Sequence, residues 1–264
     1  MSGSGLGICL HSYKGGTGKT TIAANIAAYL AGRGSKICIL DYDFRAPSLH
    51  IIFKENPRRW VNDYLNGRCE LEEVLQSLSE KYRLKGELTV GFANPSSEAL
   101  RDMLAKDRKW EMNALKRTVK AKRIILDDLG YDLLILDTSP GIQYSSVNAV
   151  VASDQVVLVM KGDEFDLEGT RELVKGVYEP LGRKAKLIIN KIPFKEVGGK
   201  LVDETVAHIM GSLNLELLGV LPCDCILMFE GGKHLFVLEK GDHPFSKAVE
   251  EIAEKVKALT RTPS

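Results

Sequence analysis

The stretch Lys14-Gly15-Gly16-Thr17-Gly18-Lys19-Thr20-Thr21 limits what this chain can be more than any other. It follows an apolar run, Leu6 to Leu10, and opens an alanine-rich helical segment, Ile22 to Leu30. Strand, glycine turn and helix, in that order, let a backbone cradle phosphate. The glycines allow successive N–H groups to converge on phosphate oxygens with no Cβ in the way. The helix adds unpaired first-turn N–H groups and roughly half a positive charge at its N-terminus. In such a turn Lys19 reaches the β- and γ-phosphates of a nucleotide, and the Thr20 hydroxyl ligates Mg²⁺. Gly15, Gly16, Thr17, Gly18 and Thr21 complete the candidate phosphate-binding set. The general pattern asks for glycine where this chain has Tyr13, and a second lysine, Lys14, sits inside the loop.

Composition narrows the setting. With 264 residues, 44% of them apolar and 27% charged, the chain has the make-up of an ordinary soluble globule. A net charge of +1 argues neither for nor against nucleic acid. Five cysteines, an odd number, and an opening Met1-Ser-Gly-Ser-Gly-Leu-Gly without a secretory h-region fit a reducing cytoplasm. No apolar run approaches the roughly 20 residues that span a bilayer. The expectation is a cytoplasmic protein forming one domain over 1–264, with 1–5 and 260–264 flexible.

Other apolar runs also end in polar motifs. Lys36 to Leu40 leads to Asp41 and Asp43, Asp132 to Asp137 leads to Thr138-Ser139-Pro140-Gly141, and Lys186 to Asn190 leads to Lys191. Gln155 to Met160, Leu217 to Leu221 and the shorter Leu88 to Ala93 also read as strands. Helical stretches begin near Leu167 and at Pro244, the latter with Phe245, Ala248, Val249, Ile252, Ala253, Val256 and Leu259 on one side. Strands interleaved with helices predict an α/β fold, a mainly parallel sheet with helices on both faces in three layers. Acids just past strand ends stand where such sheets bind ligands, and Asp137 is placed as the Walker B acid of a P-loop NTPase should be. Trp60 to Leu65 and Leu71 to Leu78 read as amphipathic stretches.

The lysine pair in the loop and the two acidic turns resemble the MinD/ParA family of dimeric P-loop ATPases. That family writes the loop as KGGxGK followed by Thr or Ser, often without the leading glycine. The resemblance runs from about Ile8 to Lys257 and implies ATP and Mg²⁺ as cofactors. It implies that Lys14 reaches across an ATP-dependent homodimer to the partner's phosphates. Asp41 orders water around Mg²⁺, Asp43 orients the attacking water, and Asp137 holds the metal shell. It also implies that the Gly141 N–H swings to the γ-phosphate, that Asn190 hydrogen-bonds the adenine edge, and that Pro222 lines the base pocket. The family's output is positioning or partitioning of DNA or another cargo, with slow hydrolysis until an adaptor protein activates it. MinD-type relatives usually append a basic amphipathic membrane helix; here Thr260 to Ser264 ends the sequence, so no C-terminal membrane helix is expected.

Three features stay open at this level. From Arg108 to Arg123 seven cations stand against one acid, Glu111, either as a solvated face or as the footprint of non-specific DNA. Helical spacing there selects Met112, Leu115, Val119 and Arg123 as the packed stripe. Cys223 and Cys225 are either ordinary thiols or part of a metal or redox site. The apolar residues Ile226 to Phe229 fit core, dimer contact or partner site. A carrier or maturation factor for a metal centre or hydrophobic client is therefore the alternative reading.

Overall fold

Eight strands form one sheet, in the order β3-β4-β2-β5-β1-β6-β7-β8. They are β1 (Leu6–His11), β2 (Lys36–Tyr42), β3 (Leu75–Ser77), β4 (Glu87–Gly91), β5 (Leu133–Thr138), β6 (Gln155–Lys161), β7 (Ala185–Pro193) and β8 (Glu216–Cys223). All neighbours pair parallel except β3, which runs antiparallel to β4 at the edge. The computed structural model describes residues 5–193, 199–223, 227, 230 and 234–260.

Strands buried on both faces need apolar residues at every position, and each face claims alternate ones. Ile8, Leu10, Ile37, Ile39, Leu133, Ile135, Val157 and Val159 point to one layer. Cys9, Cys38, Leu40, Leu134, Leu136, Val156 and Leu158 point to the other. The first layer is closed by α1 (Lys19–Gly32) and the final helix, Pro244–Leu259. Helix α1 is buried from Ile22 to Ala31, and its alanines let it lie close against the sheet. The final helix buries Phe245, Val249, Ile252, Ala253 and Val256 as its pattern predicted. Each large apolar side chain among these contributes about 1.5–3 kcal/mol by leaving water. The opposite layer holds α3 (Val61–Leu65), α5 (Arg108–Arg123), α6 (Tyr144–Ala152), α7 (Glu164–Leu173) and α8 (Lys200–Leu213). Two shorter helices, α2 (Leu49–Phe53) and α4 (Ser97–Leu104), were not anticipated.

The amphipathic stretch Leu71 to Leu78 is a single 3₁₀ turn, Glu72–Val74, that leads directly into β3. One sequence expectation fails here. The packed stripe of α5 is Ala114, Thr118 and Ala121, whereas Met112 and Val119 are 55% and 50% exposed. Helix α5 packs against α6 and α3, and that close approach selects small residues over large apolar ones. Thr118 accepts the Tyr42 hydroxyl at 2.9 Å and returns its own proton to Ala114 O at 2.8 Å.

Among the described residues no helix is long and apolar enough to cross a membrane.

Candidate functional site: the glycine loop and two acidic strand ends

The loop between β1 and α1 turns on Gly16 and Gly18, with φ of 72° and 95°. Gly18 is the residue before the helix, and a Cβ there would lie 2.5 Å from Asn190 Nδ2. That amide supports the loop from below: Nδ2 donates to Thr17 O at 2.7 Å, and Oδ1 accepts from the Lys191 N–H at 2.8 Å. Lys19 is 6% exposed, and its Nζ donates to Ser12 Oγ at 2.8 Å. Ser12 Oγ in turn donates to Lys14 O at 2.7 Å. Burial lowers the Lys19 ammonium, while Asp137 and then Asp43 favour its charge.

Strand register brings the acids together. Asp137 of β5 stands level with Leu10 of β1 on one side and with Asp41 of β2 on the other. Both carboxyls are fully buried. Asp41 Oδ1 accepts from the Asp43 N–H at 3.0 Å. Its Oδ2, both oxygens of Asp137 and the hydroxyl of Thr17 have no hydrogen-bond partner among the described residues. Buried oxygens are rarely left so, and these stand at two adjacent strand ends and in the glycine loop. Burial, then Asp137, pushes Asp41 well above the usual carboxylate range. Burial also raises Asp137, opposed by Lys19 and the Thr20 hydroxyl.

The cavity over the loop has a volume of about 540 Å³ and is lined by Gly15, Gly16, Gly18, Lys19, Thr20, Thr21, Asp43 and Pro140 among others. Arg45, Ser48 and Gln143 also line it, and sequence reasoning missed them. Asp43 Oδ1 accepts from the N–H groups of Arg45 (3.2 Å) and Ala46 (3.1 Å) and from Ser139 Oγ (2.8 Å). The last bond joins the two acidic turns, a role for Ser139 that no local pattern announces. Gly141, at φ 74°, donates its N–H to Ser12 O at 2.8 Å.

The donor set fits Mg²⁺. Hard cations take oxygen ligands, and here buried carboxylates stand side by side at two strand ends, with the Thr20 hydroxyl close to Asp137 and on the glycine loop. Among the described residues no group of three His, Cys, Asp or Glu side chains is arranged to hold a metal ion by itself. A metal here would therefore share its shell with phosphate and water.

Two predicted residues stand apart. Asn190 is 4% exposed and its Nδ2 is turned to the loop backbone at Thr17 O. Pro222 is buried in the β7–β8 ladder opposite Ile192. Neither lines the cavity. Cys225 and most of Ile226 to Phe229 lie outside the described residues; Leu227 packs against the α1 layer.

The family model described as an AAA domain (AAA_31) matches residues 6–187. The septum site-determining protein MinD of Thermotoga maritima is 28% identical over 258 residues, covering 95% of this chain and 87% of its own. The chromosome-partitioning ATPase Soj of Thermus thermophilus is 30% identical over 172 residues, 65% of this chain and 61% of its own. Among solved structures, Pyrococcus horikoshii MinD complexed with Mg-ADP superposes with a TM-score of 0.75 at 21% identity, covering 97% of both chains. With the lysine-bearing glycine loop, the acids in register beside it and these relatives, the chain belongs to the MinD/ParA family of P-loop ATPases.

Proposed function

We propose that this protein is an ATP-driven dimeric switch whose two states are set by the terminal phosphate. The observation that carries the reading is the row of buried, unpartnered oxygens on Asp41 and Asp137 beside Lys19 and the glycine loop. In this reading the N–H groups of Gly15 to Thr20 and the Lys19 ammonium hold the triphosphate. Thr20, Asp41 and Asp137 would hold Mg²⁺, the two acids through water. When bound, Mg²⁺ would supply positive charge that neutralises the charge developing on the phosphate oxygens.

Asp43 is the residue that orients the attacking water. Its Oδ1 is held by three donors, and among the described residues none donates to Oδ2, which stays available to a water. Water attacks the γ-phosphorus as the bridging P–O bond breaks, so catalysis lies in placement and charge stabilisation. Lys14 supplies a cation to the partner's nucleotide, and the Gly141 N–H reports whether a γ-phosphate is present. Asn190 serves as a support of the loop.

Positioning of DNA or another cargo, with an activating adaptor protein, is the output we favour, as the names of the MinD and Soj relatives suggest. The cations of α5 differ in what they already touch. Lys120, Lys122 and Arg123 pair with Glu70, Asp154 and Asp128, and Arg117 stacks on Tyr64. Arg108, Lys109 and Lys116 form no ion pair among the described residues and are the charges to reverse in a duplex titration.

Calorimetry with Mg-ATP, phosphate release and light scattering test the reading. Wild type should bind ATP, become dimeric with it, and turn over roughly 10²-fold faster than Asp43→Ala. Equal turnover by the two would remove Asp43 from the mechanism; a persistent monomer would remove the dimer.

A further inference from the structure

His11 ends β1 immediately before the glycine loop, yet the nucleotide reading assigns it nothing. Its ring is fully buried and engaged at both nitrogens, with Nε2 2.9 Å from Gly141 O and Nδ1 2.7 Å from the Tyr178 hydroxyl. A carbonyl oxygen only accepts, so Nε2 carries the proton; Nδ1 then accepts from the tyrosine. Burial lowers the imidazole to about 4, which keeps it neutral and in that tautomer near pH 7. The relay from Tyr178 through His11 to Gly141 links the segment after α7, the central strand and the turn after β5.

Gly141 gives the relay its meaning. Its N–H donates to Ser12 O at 2.8 Å, while its carbonyl accepts from His11 and, within its own turn, from Ser146 Oγ at 3.0 Å and the Gln143 N–H at 3.1 Å. The N–H and C=O of one residue belong to different rigid peptide planes that meet at its Cα. At φ 74° only glycine moves freely between the conformations that join them. One plane can therefore turn while the other is held.

We infer that His11 is a positioning residue for the phosphate sensor: it pins the carbonyl-side plane of Gly141 to the α7 layer, so that only the amide-side plane turns from Ser12 towards a terminal phosphate. The inference rests on the ATP switch proposed above. With the pin in place, binding exchanges Ser12 O for a phosphate oxygen and leaves Ile142 to Tyr144 where they are. Without it, the carbonyl keeps only the donors of its own turn, Ser146 Oγ and the Gln143 N–H, and the nucleotide must order a turn no longer tied to β1. That entropy cost falls on ATP alone, because ADP has no γ-oxygen to engage Gly141.

The test is calorimetric titration of ADP and of β,γ-imido ATP, each with Mg²⁺, into wild type, His11→Phe, His11→Gln and Tyr178→Phe. His11→Phe should hold ADP within about twofold of wild type and lose the ATP analogue by about fivefold, the worth of one net hydrogen bond. His11→Gln places an amide donor near the same carbonyl and should recover most of that loss. Tyr178→Phe releases Nδ1 and should fall between them. An unchanged analogue-to-ADP ratio in His11→Phe, or equal weakening of both ligands, overturns the inference. Should His11→Phe fail to fold, an unchanged ratio in Tyr178→Phe does the same. Wild type that binds neither nucleotide would instead overturn the site reading itself.

Discussion

The Lys14 ammonium lies 5.5 Å from the centroid of the Phe165 ring, on α7 of its own chain. That ring is 80% exposed, and the charge of Lys14 also favours the ionised forms of Asp163 and Asp166 on the same turn. An exposed cation–π contact is worth about 0.5–1 kcal/mol. If Lys14 is to reach a partner's triphosphate, it must first leave Phe165. Phe165→Ala should therefore shift the monomer–dimer midpoint towards dimer by about two- to fivefold, measured by light scattering with Mg-ATP in an Asp43→Ala background. A shift towards monomer would mean that the ring is itself covered by the second copy.

The buried acids predict how stability responds to pH. Burial raises Asp41 and Asp137 above their unfolded value near 4. In the window above that value the folded chain binds more protons than the unfolded one, so the ligand-free protein loses stability as pH rises through the raised pKa values. Asp137→Asn keeps the shape and removes one charge. It should raise the Tm of ligand-free protein at pH 8, by roughly 2–4 °C for each kcal/mol relieved, with little gain at pH 5. The same variant should lose the extra stabilisation that Mg²⁺ gives with nucleotide. A ligand-free Tm difference that does not change with pH would show that the carboxyl is already neutral or otherwise compensated.

What the sequence made legible follows from locality. Strands β1, β2 and β5 are continuous apolar runs, and the acids and glycines at their ends sit within a few residues of them. Register is another matter: that Asp41 stands level with Asp137 is decided by pairing across nearly a hundred residues. The stripe of α5 was misread because large apolar residues weigh most in any periodicity, while Ala114, Thr118 and Ala121 pack by being small. Leu71 to Leu78 is amphipathic without a decisive period, and the open edge of β4 decides for a strand over Leu75–Ser77. His11 with Tyr178, and Ser139 with Asp43, are links that no local window contains.

Asn190 separates two roles by experiment. Its Nδ2 donates to the loop at Thr17 O, its Oδ1 accepts from the neighbouring Lys191 N–H, and Gly18 lies directly against it. Asn190→Ala removes a buried pair of hydrogen bonds and should destabilise the fold by about 1–3 kcal/mol. By loosening the phosphate cradle it should weaken ATP and GTP by similar factors in competition binding. An amide that reads adenine would instead leave GTP untouched and weaken ATP alone, and that outcome would restore the base-contact role.

Tyr13 stands where the general phosphate-loop pattern has glycine, and the structure places the missing small residue on α7. A Cβ at Gly169 would lie 1.9 Å from Tyr13 Cε1 and 2.0 Å from Cδ1, so the ring rests on bare helix backbone. Tyr13 has no positive φ, and its backbone does not need a glycine. The two positions must then be coupled. In wild type, Gly169→Ala drives the ring off the helix and should destabilise the protein while weakening Mg-ATP binding. In a Tyr13→Ala background the clash is gone, and the same change should stabilise by about 0.5–1 kcal/mol, the ordinary gain of alanine over glycine inside a helix. Urea unfolding of the four proteins in a double-mutant cycle reads this directly. Additive effects would mean that the ring swings into solvent at no cost, and that the loop does not depend on α7.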